Sequence, residues 1–248
     1  MSNAMLIADP TTGLVSRADV CAQVAPEPTR TWNPISHRTM LEWVEDALAV
    51  GGWRIKSEEH TLSHQGETWF GVFDIDRPLF DGVSLACGVR NNTGKKLSGQ
   101  FLAGRRVFIC ANLEFDAEIL AVEKHYRNIH QILPPKIHEA VGELDGYCQR
   151  QGQVIGRMKE LELDKDTSNS QLIEMADSSI ISWSDIGKVK RIYDTDERWG
   201  AAPSIWRLHN SATTVLQRRL RTNAPSFADR TTRLNSQMSN LVERISRN

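Results

Sequence analysis

The chain has 248 residues, of which 40% are hydrophobic and 25% charged, and its net charge is −1. That composition excludes a disordered polymer. No apolar run reaches the roughly 18 residues that span a bilayer. Leu6-Ile7-Ala8 is cut short by Asp9-Pro10, so no signal peptide follows Met5, and Met1-Ser2-Asn3-Ala4 reads as a tag remnant. The four cysteines, Cys21, Cys87, Cys110 and Cys148, form no C-x-x-C pair. They read as small buried hydrophobes in a reducing compartment, which points to a cytoplasmic protein.

Residues 1–34 carry four prolines and no periodicity, and read as the remnant followed by an extended arm. An α+β domain is expected over 35–222. Ser36 is a candidate N-cap, and Met40, Val44 and Leu48 repeat at helical spacing up to Gly51-Gly52. An antiparallel meander follows. Trp53 to Ser57 alternates, His64-Gln65-Gly66-Glu67 reads as a hairpin turn, and Trp69 to Ile75 is a second strand. Val83, Leu85, Cys87 and Val89 share one face of a third strand before the turn residues Asn91-Asn92-Thr93-Gly94. Leu97 to Leu102 pairs next, and Val107-Phe108-Ile109-Cys110 reads as a central strand. From Glu114 onward the chain reads as helical. One helix is expected over 114–133 and stopped by Pro134-Pro135, with another to about Leu163 that bends at its glycines. Asp164 to Ser170 reads as a polar loop. Shorter helices are expected near 170–181 and 184–193, then one over 203–221, and a separate basic helical segment over 223–248.

The common catalytic and nucleotide-binding motifs are missing. There is no phosphate-cradling G-x-x-x-x-G-K-[ST], no G-x-G-x-x-G and no G-x-S-x-G. His60 and His64 lie four apart but straddle the expected hairpin. Zinc needs four converging ligands, so both read as surface histidines and no metal or cofactor is expected. The expectation is a non-catalytic protein.

Charge distribution carries more information. Residues 201–248 hold eight arginines and two acids, a net +6, so the preceding 200 residues carry −7. Ile205, Leu208, Ala212, Val215 and Leu216 mark an apolar stripe, and Arg207, Arg218 and Arg221 fall together on the other side of that helix. The exclusive use of arginine fits bidentate contacts to phosphate, or to carboxylates of the acidic body or of another subunit. A second basic group, Arg90, Lys95, Lys96, Arg105 and Arg106, surrounds two turns of the meander. These eight residues are the candidate nucleic-acid contacts. Seven tryptophans read mostly as core anchors.

Gly88-Val89-Arg90-Asn91-Asn92-Thr93-Gly94, followed by Gly104-Arg105-Arg106-Val107-Phe108-Ile109-Cys110-Ala111-Asn112-Leu113, resembles a phage/plasmid-like domain-of-unknown-function family (number 932). That family has an R-N-S-x-D style turn, a G-x-R-V-F-V-C-x-N strand and a histidine near His125. Asn210-Ser211-Ala212-Thr213 matches its later N-A-x-T motif, with serine in place of the alanine. The resemblance spans roughly residues 36–215. It implies a mobile-element origin and no established activity. The helix–hairpin–strand order is also similar to single-strand annealing proteins of the Rad-fifty-two type. The combined expectation is a protein that binds single-stranded DNA, or anneals it as a homo-oligomer. The alternative is a module that captures a host or phage protein.

Overall fold

A computed structural model describes residues 14–107, 112–220 and 224–247, with the side chains of 108–119, 218–226 and 228 left aside. The N-terminal arm holds a short strand β1 (Leu14–Val15) and a one-turn helix α1 (Arg17–Cys21). Ser16 caps α1 in a reciprocal box with Asp19, so this part of the arm is folded where sequence patterning implied only extended chain. Helix α2 (His37–Val50) starts at Ser36, whose Oγ accepts the Thr39 N–H at 3.0 Å. It ends at Gly51, and Gly52 takes the left-handed conformation at φ +75°.

The meander is β2 (Ile55–Ser63), β3 (Thr68–Phe80), β4 (Val83–Asn92), β5 (Gly99–Val107) and β6 (Asn112–Glu123). With β1 it forms one antiparallel sheet in the order β1-β2-β3-β4-β5-β6. The β2–β3 turn places His64, Gln65 and Gly66 all at positive φ. Strand β6 replaces the first half of the helix expected over 114–133. Leu113, Phe115, Ala117, Ile119 and Ala121 alternate with Glu114, Asp116, Glu118, Leu120 and Val122, a period of two masked by Glu, Ala and Leu, which favour helices in isolation.

Helix α3 (Ile129–Gly142) then runs through Pro134-Pro135 instead of stopping there. The prolines withhold N–H groups from the carbonyls of His130 and Gln131, and both residues are exposed, so water takes those bonds. Burial of Ile129, Leu133, Ile137, Ala140 and Val141 along one stripe holds the helix together.

Helices α4 (Leu144–Glu160), α5 (Lys165–Asp177), α6 (Ile186–Thr195), α7 (Ile205–Leu220) and α8 (Ala224–Ser246) complete the chain. The stretch expected as a polar loop starts α5, because Asp164 caps it by accepting the Thr167 N–H at 2.7 Å. Gly152 lets α4 approach β3; a Cβ there would lie 2.7 Å from the Leu79 carbonyl oxygen. The protein is therefore α+β, with a mainly helical C-terminal half packed on the sheet. Strand register sorts the sheet into two faces. Trp69, Phe73, Leu85, Cys87, Val89, Phe101 and Ala103 share the face that meets the helices. Thr68, Phe70, Asp74, Arg90, Gln100, Leu102 and Arg106 share the other. Leu234, Met238 and Leu241 of α8 join the same core, so the last helix is continuous with the α+β body.

Candidate nucleic-acid interface

The six candidate basic side chains that are described do not converge. Arg105 and Arg106 are neighbours on β5, so their side chains leave opposite faces of the sheet. Arg105 enters the helical layer and is 2% exposed. Its guanidinium donates to Gln151 Oε1 of α4 at 2.8 Å and to Asn235 Oδ1 of α8 at 2.7 Å. His209 Nε2 of α7 is 3.2 Å away. The Trp206 ring lies at cation–π range, 6.0 Å, and stacks on His209. Four elements are thus tied together by one side chain, and no phosphate backbone reaches it.

Arg106 leaves by the other face and is 7% exposed. Its Nε sits 2.7 Å from Asp74 Oδ1, and its Nη2 lies 3.4 Å from Glu59 Oε2. Two carboxylates of the acidic body therefore neutralise it. Burial pushes the Glu59 carboxyl up, and the Arg106 charge pulls against that rise. Arg207 is 4% exposed and donates to the carbonyls of Ala201 at 2.7 Å and Gly200 at 3.4 Å, with Tyr193 beneath it. The expectation that Arg105, Arg106 and Arg207 meet phosphates is corrected on these grounds, because each is buried and held within the chain. The Arg218 side chain and all of Arg221 lie outside the described residues.

Four further arginines of the C-terminal segment also have partners within the chain. Arg230 and Arg233 of α8 donate to the carbonyls of Ile180 and Ser178 at 2.8 and 2.7 Å, just past the C-terminus of α5. Those carbonyls belong to a helix end short of N–H partners. Arg244 lies 3.7 Å from Glu174, and Arg247 pairs with Glu243 one helical turn away. Of these, Arg244 alone among the described residues reaches a carboxylate of the acidic body; the others meet backbone carbonyls or acids of their own helix.

Three candidates remain in position to meet a ligand. Lys95 and Lys96 are exposed in the turn after β4, and the Lys95 ammonium lies 5.2 Å from the centre of the Trp32 ring. Arg90 stands two residues before the end of β4, on the face opposite Arg105, paired across strands with Phe70 and Gln100. Among the described residues its guanidinium makes no hydrogen bond or ion pair, and its Nε is buried and unsatisfied. Removal from water holds its pKa below the usual arginine value.

No family model, curated protein or solved structure matches the chain.

Sequence reasoning missed a group of three buried histidines. His60, expected on the surface of a hairpin, is 3% exposed and accepts the Trp69 indole N–H at Nδ1. His37 is fully buried beneath the same tryptophan, and His125 is 4% exposed. Among the described residues no three His, Cys, Asp or Glu side chains converge as a metal cage. The signal for His60 lay in strand parity: it shares a face with Leu62 across from Trp69 and Phe73.

Proposed function

We propose that this protein binds single-stranded nucleic acid without catalysis, at the end of the sheet where Arg90 adjoins the 93–98 turn. The observation that carries this reading is the Arg90 guanidinium. It is half-buried and, among the described residues, lacks a counter-charge, an arrangement that costs free energy until an anion arrives. Lys95 and Lys96 lie beyond it at the same end of β4. Phe70 is the cross-strand neighbour of Arg90 and is half-buried. The phosphate contacts are therefore three residues, a smaller set than the eight named from sequence. Unpaired Cys87 and Cys148 in the core fit a reducing cytoplasmic setting.

A labelled oligonucleotide tests this by fluorescence anisotropy at about 50 mM salt. Binding is expected for the unaltered chain, with a loss of at least tenfold for Arg90→Ala and a smaller loss for Lys95→Ala or Lys96→Ala. No anisotropy change with the unaltered chain overturns the proposal.

A second reading has its own support. Leu120 and Val122 on β6, the last strand of the sheet, are each 41% exposed on the face that carries Arg90. An apolar pair there fits a protein partner or a second copy of the chain better than a phosphate backbone. A partner that stays bound through nuclease treatment, and is lost in Leu120→Lys, favours that class.

A further inference from the structure

Ile35 is the last arm residue before the Ser36 cap, and it is buried in the core at 1% exposure. Both of its backbone polar groups are held by the histidine group. Its N–H donates to His125 Nδ1 at 3.4 Å, and its carbonyl accepts from Asn91 Nδ2 at 3.0 Å. The other N–H of the same Asn91 amide faces His37 Nδ1, also at 3.0 Å. Two carbonyls fix the tautomers here. His37 Nε2 meets the Gly66 carbonyl at 2.8 Å, and a carbonyl only accepts, so Nε2 carries the proton and Nδ1 is the acceptor. The Ile35 carbonyl orients the Asn91 amide in the same way.

His60 repeats the arrangement. The Trp69 indole can only donate, so His60 Nδ1 accepts, at 3.4 Å. Three histidines from three places in the fold thus each present Nδ1 to a buried N–H. Their further ties reach the arm. Val15 of β1 is the register partner of His60, the Asn33 N–H donates to the His125 carbonyl at 2.9 Å, and Trp32 bridges to Tyr126.

We propose that the arm, residues 14–35, is an acid-released strap. Protonation turns each Nδ1 from an acceptor into a donor that faces another N–H, and the strap then leaves the sheet while the helices and central strands stay folded. No bond is made or broken beyond the proton uptake.

The surrounding charges decide which histidine resists. His60 faces Glu58 of β2 through Nε2, at 3.4 Å, with Arg17 of α1 and Glu45 of α2 behind it. Glu58 and Glu45 favour its protonation, and Arg17 opposes it. Among the described residues the charged groups that act on His125 are histidines, His37 of α2 and His130 of α3, so a proton on one disfavours a proton on the other. Burial lowers all three pKa values, His125 to about 4. The released state has ordinary histidines near 6.5. A folded pKa below the released value gives attachment that is complete above about pH 6.5 and weakens as the pH falls from there toward 4.

Hydrogen exchange on the full chain, corrected for the pH dependence of the chemical rate, tests this. Protection at Thr29, Asn33 and Ile35 is expected to fall about tenfold per pH unit per histidine below 6.5. The interior of α2 and the strand β4 keep their protection over the same range. His125→Asn places an amide oxygen where Nδ1 accepts and cannot titrate, so its strap stays protected to lower pH. Arm protection that does not change between pH 7.5 and 5 overturns the proposal, as does loss of the arm only together with β4. If His125→Asn does not fold, the imidazole resonances of the unaltered protein serve. His125 titration coincident with arm release supports the strap, and titration with the arm still protected refutes it.

Discussion

Arg105, Arg106 and Arg207 are held by three different chemistries: side-chain amides, carboxylates, and backbone carbonyls. Each needs several donors in a fixed plane, which arginine has and lysine lacks. The guanidinium of Arg105 joins β5 to α4, α7 and α8, so its removal strands several buried acceptors at once. Arg105→Ala is therefore expected to destabilise the fold by about 3–5 kcal/mol, the range for breaking a buried charged network. Arg90→Met keeps the aliphatic stem and removes a charge that has no partner among the described residues. It is expected to leave stability within about 0.5 kcal/mol, or to raise it. Urea unfolding of both variants checks the pair, and a comparable loss in each contradicts the assignment of their roles. Sequence identified all these residues as unusual. It did not separate them, since the partners of Arg105 lie 46, 104 and 130 positions away along the chain.

Elements were legible where local chemistry and tertiary demand agree. Ser36, the Met40-Val44-Leu48 stripe and Gly51-Gly52 delimit α2 without help from the rest of the fold. The Ser36 hydroxyl supplies the N-terminal cap directly, so Ser36→Ala is expected to lower stability by about 1 kcal/mol, read as a drop in Tm. Ser36→Asp keeps an acceptor and is expected to recover most of that loss. The hairpin at 64–67 and the strands β3 and β4 were equally readable from parity and turn residues. Strand β6 and helix α3 were not, for opposite reasons. In β6, residues that prefer helices occupy a strand because β5 offers a pairing edge. In α3, two prolines sit inside a helix because its buried stripe outweighs two lost backbone bonds. In both cases the decisive interaction is with a distant element, which a window of a dozen residues does not contain. The buried histidines belong to the same class, since each Nδ1 finds its donor only after β3, β4 and the arm have come together.

At the scale of the molecule, five described arginines of the +6 C-terminal segment are engaged within the fold that also carries the −7 body. Arg207, Arg230 and Arg233 bind carbonyls, and Arg244 and Arg247 pair with carboxylates. A net charge counted along the sequence therefore overstates the charge offered to a polyanion. This has a measurable consequence for the proposed nucleic-acid binding. Each phosphate neutralised on a single strand contributes a slope of roughly −0.7 to log K against log salt. Eight contacts would give about −5.6, whereas Arg90, Lys95 and Lys96 alone give about −2. Anisotropy titrations between about 50 and 200 mM salt distinguish the two, since affinity falls only about 20-fold over that span for the shallow slope and more than a thousandfold for the steep one. A slope near −2 that flattens further in Arg90→Ala is the outcome expected of this fold. A slope near −5 would mean that the buried arginines become available in the complex, which requires Arg105 and Arg106 to abandon the partners that tie α4, α7 and α8 to the sheet.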